Sequence, residues 1–139
     1  MSDEVPETGS AAVPDPEVVA LAGKIFDLAR AGDTDALAAY VDAGVSADLT
    51  NDSGDSLVML AAYHGHAATV RALVERGADP GRVNDKGQTP LAGAVFKGSD
   101  DVIRALLDGG ADPAAGTPSA IDTARMFEKS ELLALFGAA

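Results

Sequence analysis

Residues 54–81 can be written above residues 87–114 at an offset of 33, and they match without a gap. Gly54 falls on Gly87, Ser56 on Thr89, Val58 on Leu91, Ala61 on Ala94, Tyr63 on Phe96 and Gly65 on Gly98. Val70 and Leu73 fall on Ile103 and Leu106, and Gly77-Ala78-Asp79-Pro80 falls on Gly110-Ala111-Asp112-Pro113. The offset continues backwards, with Ala29 on Ala62, Gly32 on Gly65, Leu37 on Val70 and Gly44 on Gly77. Forwards it weakens, and Ala124 answers to Ala94 only if three residues are missing before it. A chain with such a period is expected to stack like units side by side, because one unit cannot bury its own apolar face. The expected units are 17–49, 50–82, 83–115 and 116–139, the outer two modified as caps.

Each unit reads as turn, helix, turn, helix, loop. Ser56 is placed to cap a helix running to Tyr63 or His64, and Gly65 to end it. A second helix is expected from about Ala67 to Arg76, with Val70, Leu73 and Val74 on one face. Gly77 closes it, and Asp79-Pro80 stops any continuation, because the residue before proline is pushed out of the helical region. Asn51-Asp52-Ser53-Gly54 and Asn84-Asp85-Lys86-Gly87 are turn tetrads, expected at the tips of hairpin-like β-turns between units. At the start, Asp15 is a candidate N-cap with Pro16 in the first helical turn. Val18, Val19, Leu21, Ala22, Ile25, Phe26, Leu28 and Ala29 crowd that first helix and predict burial over a wide face. In the last unit Arg125, Glu128, Lys129 and Glu131 should face water, with Leu132, Leu133 and Leu135 inward. Residues 1–14, rich in Pro, Gly, Ser and acids, read as a flexible acidic tail before a repeat domain over 15–139.

Composition agrees with helices set close together. There are 28 alanines, aromatics make up 4% and Trp is absent, so the core must be built from small side chains. Alanine is the best helix former, and the expected fold class is all-α.

The motif residues resemble the ankyrin-repeat family. The resemblance rests on Gly87-Gln88-Thr89-Pro90-Leu91 with Ala94, and on Gly54-Asp55-Ser56-Leu57-Val58 with Ala61-Ala62. It rests further on Gly65-His66, on Leu106-Leu107-Asp108-Gly109-Gly110-Ala111-Asp112-Pro113, and on the period; it covers about residues 17–136. The family pattern is Thr-Pro-Leu-His with a following Ala. This sequence departs from it in having Met59 and Ala92 in place of the His, and Ser56-Leu57 in place of Thr-Pro. The His–Thr hydrogen bond of the family is therefore absent, at an expected cost in stability. The resemblance implies a solenoid of about four stacked helix-turn-helix units with β-turn tips, and a His66 that helps start the second helix.

Other chemistries fit poorly. The absence of Cys removes disulfides, thiolate metal sites and Cys nucleophiles. His64-Gly65-His66 lacks a third ligand at useful spacing. Asp48 to Asp55 is rich in oxygen donors, but an EF-hand loop counted from Asp48 would need Gly where Ser53 stands and an acid where Met59 stands. Gly109-Gly110 has neither the preceding strand nor the following Lys-Ser/Thr of a phosphate loop. Asp100-Asp101 follows Ser99 in a first helical turn, where acids favour the helix dipole. No Ser or Thr has a recognisable His–acid partner, so no enzyme and no cofactor are expected.

The formal charge is −12, and the first 23 residues hold five acids and no base. Such a surface repels phosphate backbones, so nucleic acid is not an expected ligand. It either serves solubility alone or favours a partner with a basic surface. Met1 to Pro16 has neither the basic nor the apolar segment of a secretory signal, and no apolar run reaches a membrane span. A cytoplasmic protein is expected, and the Ala, Gly and Asp content with little Lys reads as bacterial.

What the resemblance implies is a protein-interaction module that binds through its tips and concave helix surface, as scaffold, inhibitor or stabiliser. The implied partner-binding residues are Asp52, Ser53, Asp55, Tyr63 and His64 in the second unit, with Asp85, Lys86, Gln88, Phe96 and Lys97 in the third. Arg30 extends the surface at the first cap. Tyr63 and Phe96 have a second reading, as rings packed between units. The module is expected to be a monomer, the alternative being a structural or self-associating subunit.

Overall fold

The computed structural model describes residues 15–138, and the tail expected over 1–14 lies outside them. Among the described residues there are eight helices and no strand. They are α1 (Pro16–Ala31), α2 (Thr34–Asp42), α3 (Leu57–Tyr63), α4 (Ala67–Glu75), α5 (Pro90–Lys97), α6 (Asp100–Asp108), α7 (Ala120–Met126) and α8 (Ser130–Leu135). Successive helices pair as α1–α2, α3–α4, α5–α6 and α7–α8. The pairs stack, so that α1, α3, α5 and α7 form one row and α2, α4 and α6 form another. This is a solenoid of helix-turn-helix repeats. None of these helices is long and apolar enough to cross a membrane.

The helix starts follow from side-chain chemistry. Asp15 accepts a hydrogen bond from the Glu17 N–H at 2.8 Å, with Pro16 directly behind it. Ser56, Thr89 and Ser119 each accept from the N–H three residues on, at 3.0, 3.1 and 3.0 Å. All three hydroxyl residues are buried, so each cap satisfies a donor that water could not reach. His66 behaves otherwise than expected. Its ring makes no capping bond to α4; Nε2 instead lies 2.8 Å from the Arg30 carbonyl at the end of α1, tying two repeats together.

The core is narrow where the rows meet. Ala29, Ala61, Ala62, Ala94, Ala120 and Ala124 are wholly buried in the first row, which lets α1, α3, α5 and α7 approach closely. Leu37, Val70, Leu73, Ile103 and Leu106 fill the space behind them. Fully burying such a chain contributes roughly 1.5–3 kcal/mol.

Two expectations about burial are corrected. In α1 only Ile25 and Ala29 are buried, while Val18 is 61% and Val19 53% exposed, and Leu21 is exposed too. The reason is length. At 1.5 Å per residue, the 16 residues of α1 span roughly 24 Å and the 7 of α3 roughly 10 Å, so the first turns of α1 overhang the stack. At the other end Leu132 and Leu133 pack half-buried on the core, but Leu135 is exposed, because it stands in an open hollow between α6 and α8 that Asp100, Ile103 and Arg104 also line.

The connections carry the β-turns. The Gly54 N–H donates to the Asn51 carbonyl at 2.9 Å and the Gly87 N–H to the Asn84 carbonyl at 3.0 Å. In each turn the Asn side-chain oxygen accepts two further N–H groups, from Ser53 and Asp55 and from Lys86 and Gln88. The tips are joined in turn: the Asp85 N–H donates to the Ser53 carbonyl at 3.1 Å, and the Thr117 N–H to the Gly87 carbonyl at 3.0 Å. Gly54 has φ +76°, and a Cβ there would lie 2.9 Å from the Asp85 nitrogen, so only glycine lets the tips close up.

The buried alanines yield a test. Ala94→Leu should destabilise the protein by about 1–3 kcal/mol in urea unfolding, since it overpacks a wholly buried position. Ala68→Leu, on the exposed side of α4, should change stability by less than about 0.5 kcal/mol.

Candidate functional site

One face of the solenoid is formed by the turn tips and the exposed sides of the first-row helices. Three hollows lie along it. The first, about 480 Å³, lies between α1 and the first tip and is lined by Val18, Val19, Phe26, Arg30, Leu49, Asp52 and Ser53, among others. The second, about 510 Å³, lies between the two tips and holds Asp52, Ser53, Asp55, Tyr63, Asp85, Lys86 and Gln88. The third, about 370 Å³, is lined by Met59, Tyr63, Gln88, Ala92, Gly93, Phe96, Pro118, Met126 and Phe127. Asp52 and Ser53 line the first two, and Met59, Tyr63 and Gln88 the last two, so the hollows form one continuous groove.

Most residues that the sequence pointed to meet here. Tyr63 and Phe96, at the same place in successive units, are 46% and 63% exposed. That degree of exposure matches rings presented to solvent better than rings enclosed between repeats. Asp55 is half-buried, and its carboxylate accepts from the Asn84 amide at 2.9 Å; the same amide donates to Gln88 at 2.8 Å. The tip is thus held in shape by its own polar groups, leaving Asp52, Asp85 and Lys86 exposed. Arg30 is paired with Asp27 at 2.9 Å on α1.

His64 and Lys97 line none of the three hollows. Lys97 lies beside the groove, its Nζ 4.5 Å from the centre of the Tyr63 ring, a cation–π contact worth about 0.5–1 kcal/mol at an exposed site. His64 meets the Tyr63 ring edge-on, with ring centres 5.5 Å apart. Its pKa lies below the usual 6.5, chiefly because burial disfavours the imidazolium, with the charges of His66, Arg30 and Lys97 acting in the same direction. No group of three or more His, Cys, Asp or Glu side chains is placed to hold a metal among the described residues.

Sequence reasoning missed the apolar part of the groove. Met59, Ala92, Met126, Phe127 and Pro118 were not among the expected partner-binding residues, yet they line the third hollow. Two signals pointed there. Met59 and Ala92 occupy the positions where the family pattern has a His, so apolar surface replaces a polar ring. The shift that brings Ala124 onto Ala94 also brings Met126 onto Phe96, placing a third exposed side chain in the Tyr63–Phe96 series. Phe127 adds a ring 5.8 Å from that of Phe96.

Residues 25–116 match the family model described as ankyrin repeats (3 copies). A Pseudomonas aeruginosa protein named for ankyrin repeats is 52% identical over 48 residues, which is 34% of this chain and 28% of that protein. The crystal structure of the human ASB11 ankyrin repeat domain superposes with a TM-score of 0.61 at 32% identity, over 64% of this chain and 40% of the other. The chain therefore spans less than half the length of either.

The environment of His64 makes a prediction with a definite sign. Its folded-state pKa lies below 6.5, so the unfolded chain takes up the proton first as pH falls. The His64 contribution to stability is complete above pH 6.5 and is lost as pH drops from there through the lowered value. An NMR titration of the folded protein should place the His64 midpoint below 6.5, and Lys97→Gln should raise it only part of the way back, since burial is the first cause. A midpoint at or above 6.5 would contradict this environment.

Proposed function

The chain belongs to the ankyrin-repeat family, and on that premise we propose that it is a protein-interaction module whose partner docks in the groove between the tips and the first-row helices. The observation that carries this reading is the row of three adjoining hollows, with Tyr63 and Phe96 standing exposed along it. Exposed aromatic rings set among polar tips are the usual makings of an interface hot spot. The site residues are Arg30, Asp52, Ser53, Asp55, Tyr63, Asp85, Lys86, Gln88 and Phe96, with His64 and Lys97 flanking Tyr63.

The mechanism is equilibrium binding. The tips are held by Asn51 and Asn84 before any partner arrives, so little ordering cost falls on association. The protein acts in the cytoplasm as scaffold, inhibitor or stabiliser of its target and catalyses no reaction. A chain of net charge −12 is suited to a partner with a basic surface and repels nucleic acid. A second reading, self-association, draws on the exposed Val18 and Val19 at the overhang of α1; light scattering would then report an assembly in place of a monomer.

The test is an affinity pull-down from native extract with wild type beside Tyr63→Ala/Phe96→Ala. The double variant should keep its helical circular dichroism, since both rings are exposed, and should bind about 30-fold or more weakly, the scale of a lost hot spot. A partner held equally by both proteins would move the interface off the groove.

A further inference from the structure

The groove differs chemically along its length. The second and third hollows share Met59, Tyr63 and Gln88 and are adjoining chambers. The 370 Å³ chamber has no charged side chain in its lining and is walled by Phe96, Phe127, Met126 and Pro118. The 510 Å³ chamber holds three carboxylates, Asp52, Asp55 and Asp85, against the single ammonium of Lys86. Asp55 is bonded to Asn84, whereas Asp52 and Asp85 have no ion pair or side-chain hydrogen bond among the described residues. One chamber is thus apolar, and its neighbour carries an excess of negative charge.

Building on the interaction-module reading, we infer that the groove receives an extended segment of the partner, one that sets a large apolar side chain in the apolar chamber and a Lys or Arg in the acidic one. On a segment extended as a polyproline II helix, with three residues per turn, side chains three residues apart point the same way about 9 Å apart, a span that suits adjoining chambers of this size. Met59 and Met126 make the apolar chamber adaptable, so Leu, Met and Phe should serve alike there. The acidic chamber discriminates by the sign of charge. Residues 1–14 of the chain itself carry Asp3, Glu4 and Glu7 and no base, so they do not supply the required cation.

The test is fluorescence anisotropy of the full chain with labelled peptides on a Gly-Ser framework. One peptide carries Leu and Arg three residues apart, one Leu and Glu, and one Ser and Arg. The Leu–Arg peptide should bind about tenfold or more tightly than either of the others. Asp52→Asn/Asp85→Asn should abolish the preference for Arg over Glu and keep that for Leu over Ser, and Phe96→Ser should do the reverse. All of these positions are exposed, so circular dichroism should show intact folds. Equal binding of the three peptides, no binding by any, or preferences that survive both variants would overturn the inference. So would a dimer in solution that Phe96→Ser turns into a monomer, because a second copy would then fill the apolar chamber. If the pull-down still captures a partner through Tyr63 and Phe96 while the peptides are not ranked, the module stands and only the chamber assignment falls.

Discussion

The close approach of α1, α3, α5 and α7 is the constraint on which the molecule depends. It is possible only because the touching positions are alanines with no exposed surface, Ala29, Ala61, Ala62, Ala94 and Ala124. Small side chains at these positions bring consecutive tips near enough for the Asp85 N–H to reach the Ser53 carbonyl. The same spacing puts Tyr63 and Phe96 in line, and it leaves shallow hollows between tips and helices where bulkier contacts would have driven them apart. The groove is therefore a by-product of core packing.

The polar contacts between repeats act differently. Arg76 pairs with Asp42 and Arg71 with Asp108, each at 2.9 Å and each exposed, while Thr34 and Thr69 join hydroxyls at 2.7 Å. Exposed ion pairs of this kind contribute about 0–1 kcal/mol. They fix how one repeat is set against the next more than they hold it there. Stability comes from apolar burial spread along the stack, and a defect in one repeat acts first on its neighbours.

Much of the fold could be read from the chain because local and global signals agree. Ser56, Thr89 and Asp15 sit as caps, Asn51 and Asn84 shape the turns, and Val70 and Leu73 face inward, all as their spacing required. The misreadings arose at the ends and across repeat boundaries. Periodicity shows which residues of a helix are apolar but not whether a neighbour is long enough to cover them, and so Val18, Val19 and Leu135 were placed inside. His66 was assigned to its own helix, whereas its partner is the Arg30 carbonyl, 36 positions back. Within the groove, the repeated polar tips and rings were legible. Its apolar wall at Phe127 and Pro118 was not, because it comes from the one repeat whose register slips.

That slip has a consequence of its own. From Asp79 to Thr89 the chain makes a full tip, whereas the matching stretch from Asp112 to Ser119 is three residues shorter and, among the described residues, reaches back through one backbone hydrogen bond, Thr117 to Gly87. The polar rail along the groove thus stops abruptly at one end, while at the other it meets the overhanging barrel of α1. A surface with two unlike ends has a heading, as a one-way street does. A segment of the kind inferred above could not be turned end for end and meet the same chemistry, so its residues written in reverse would be a different ligand.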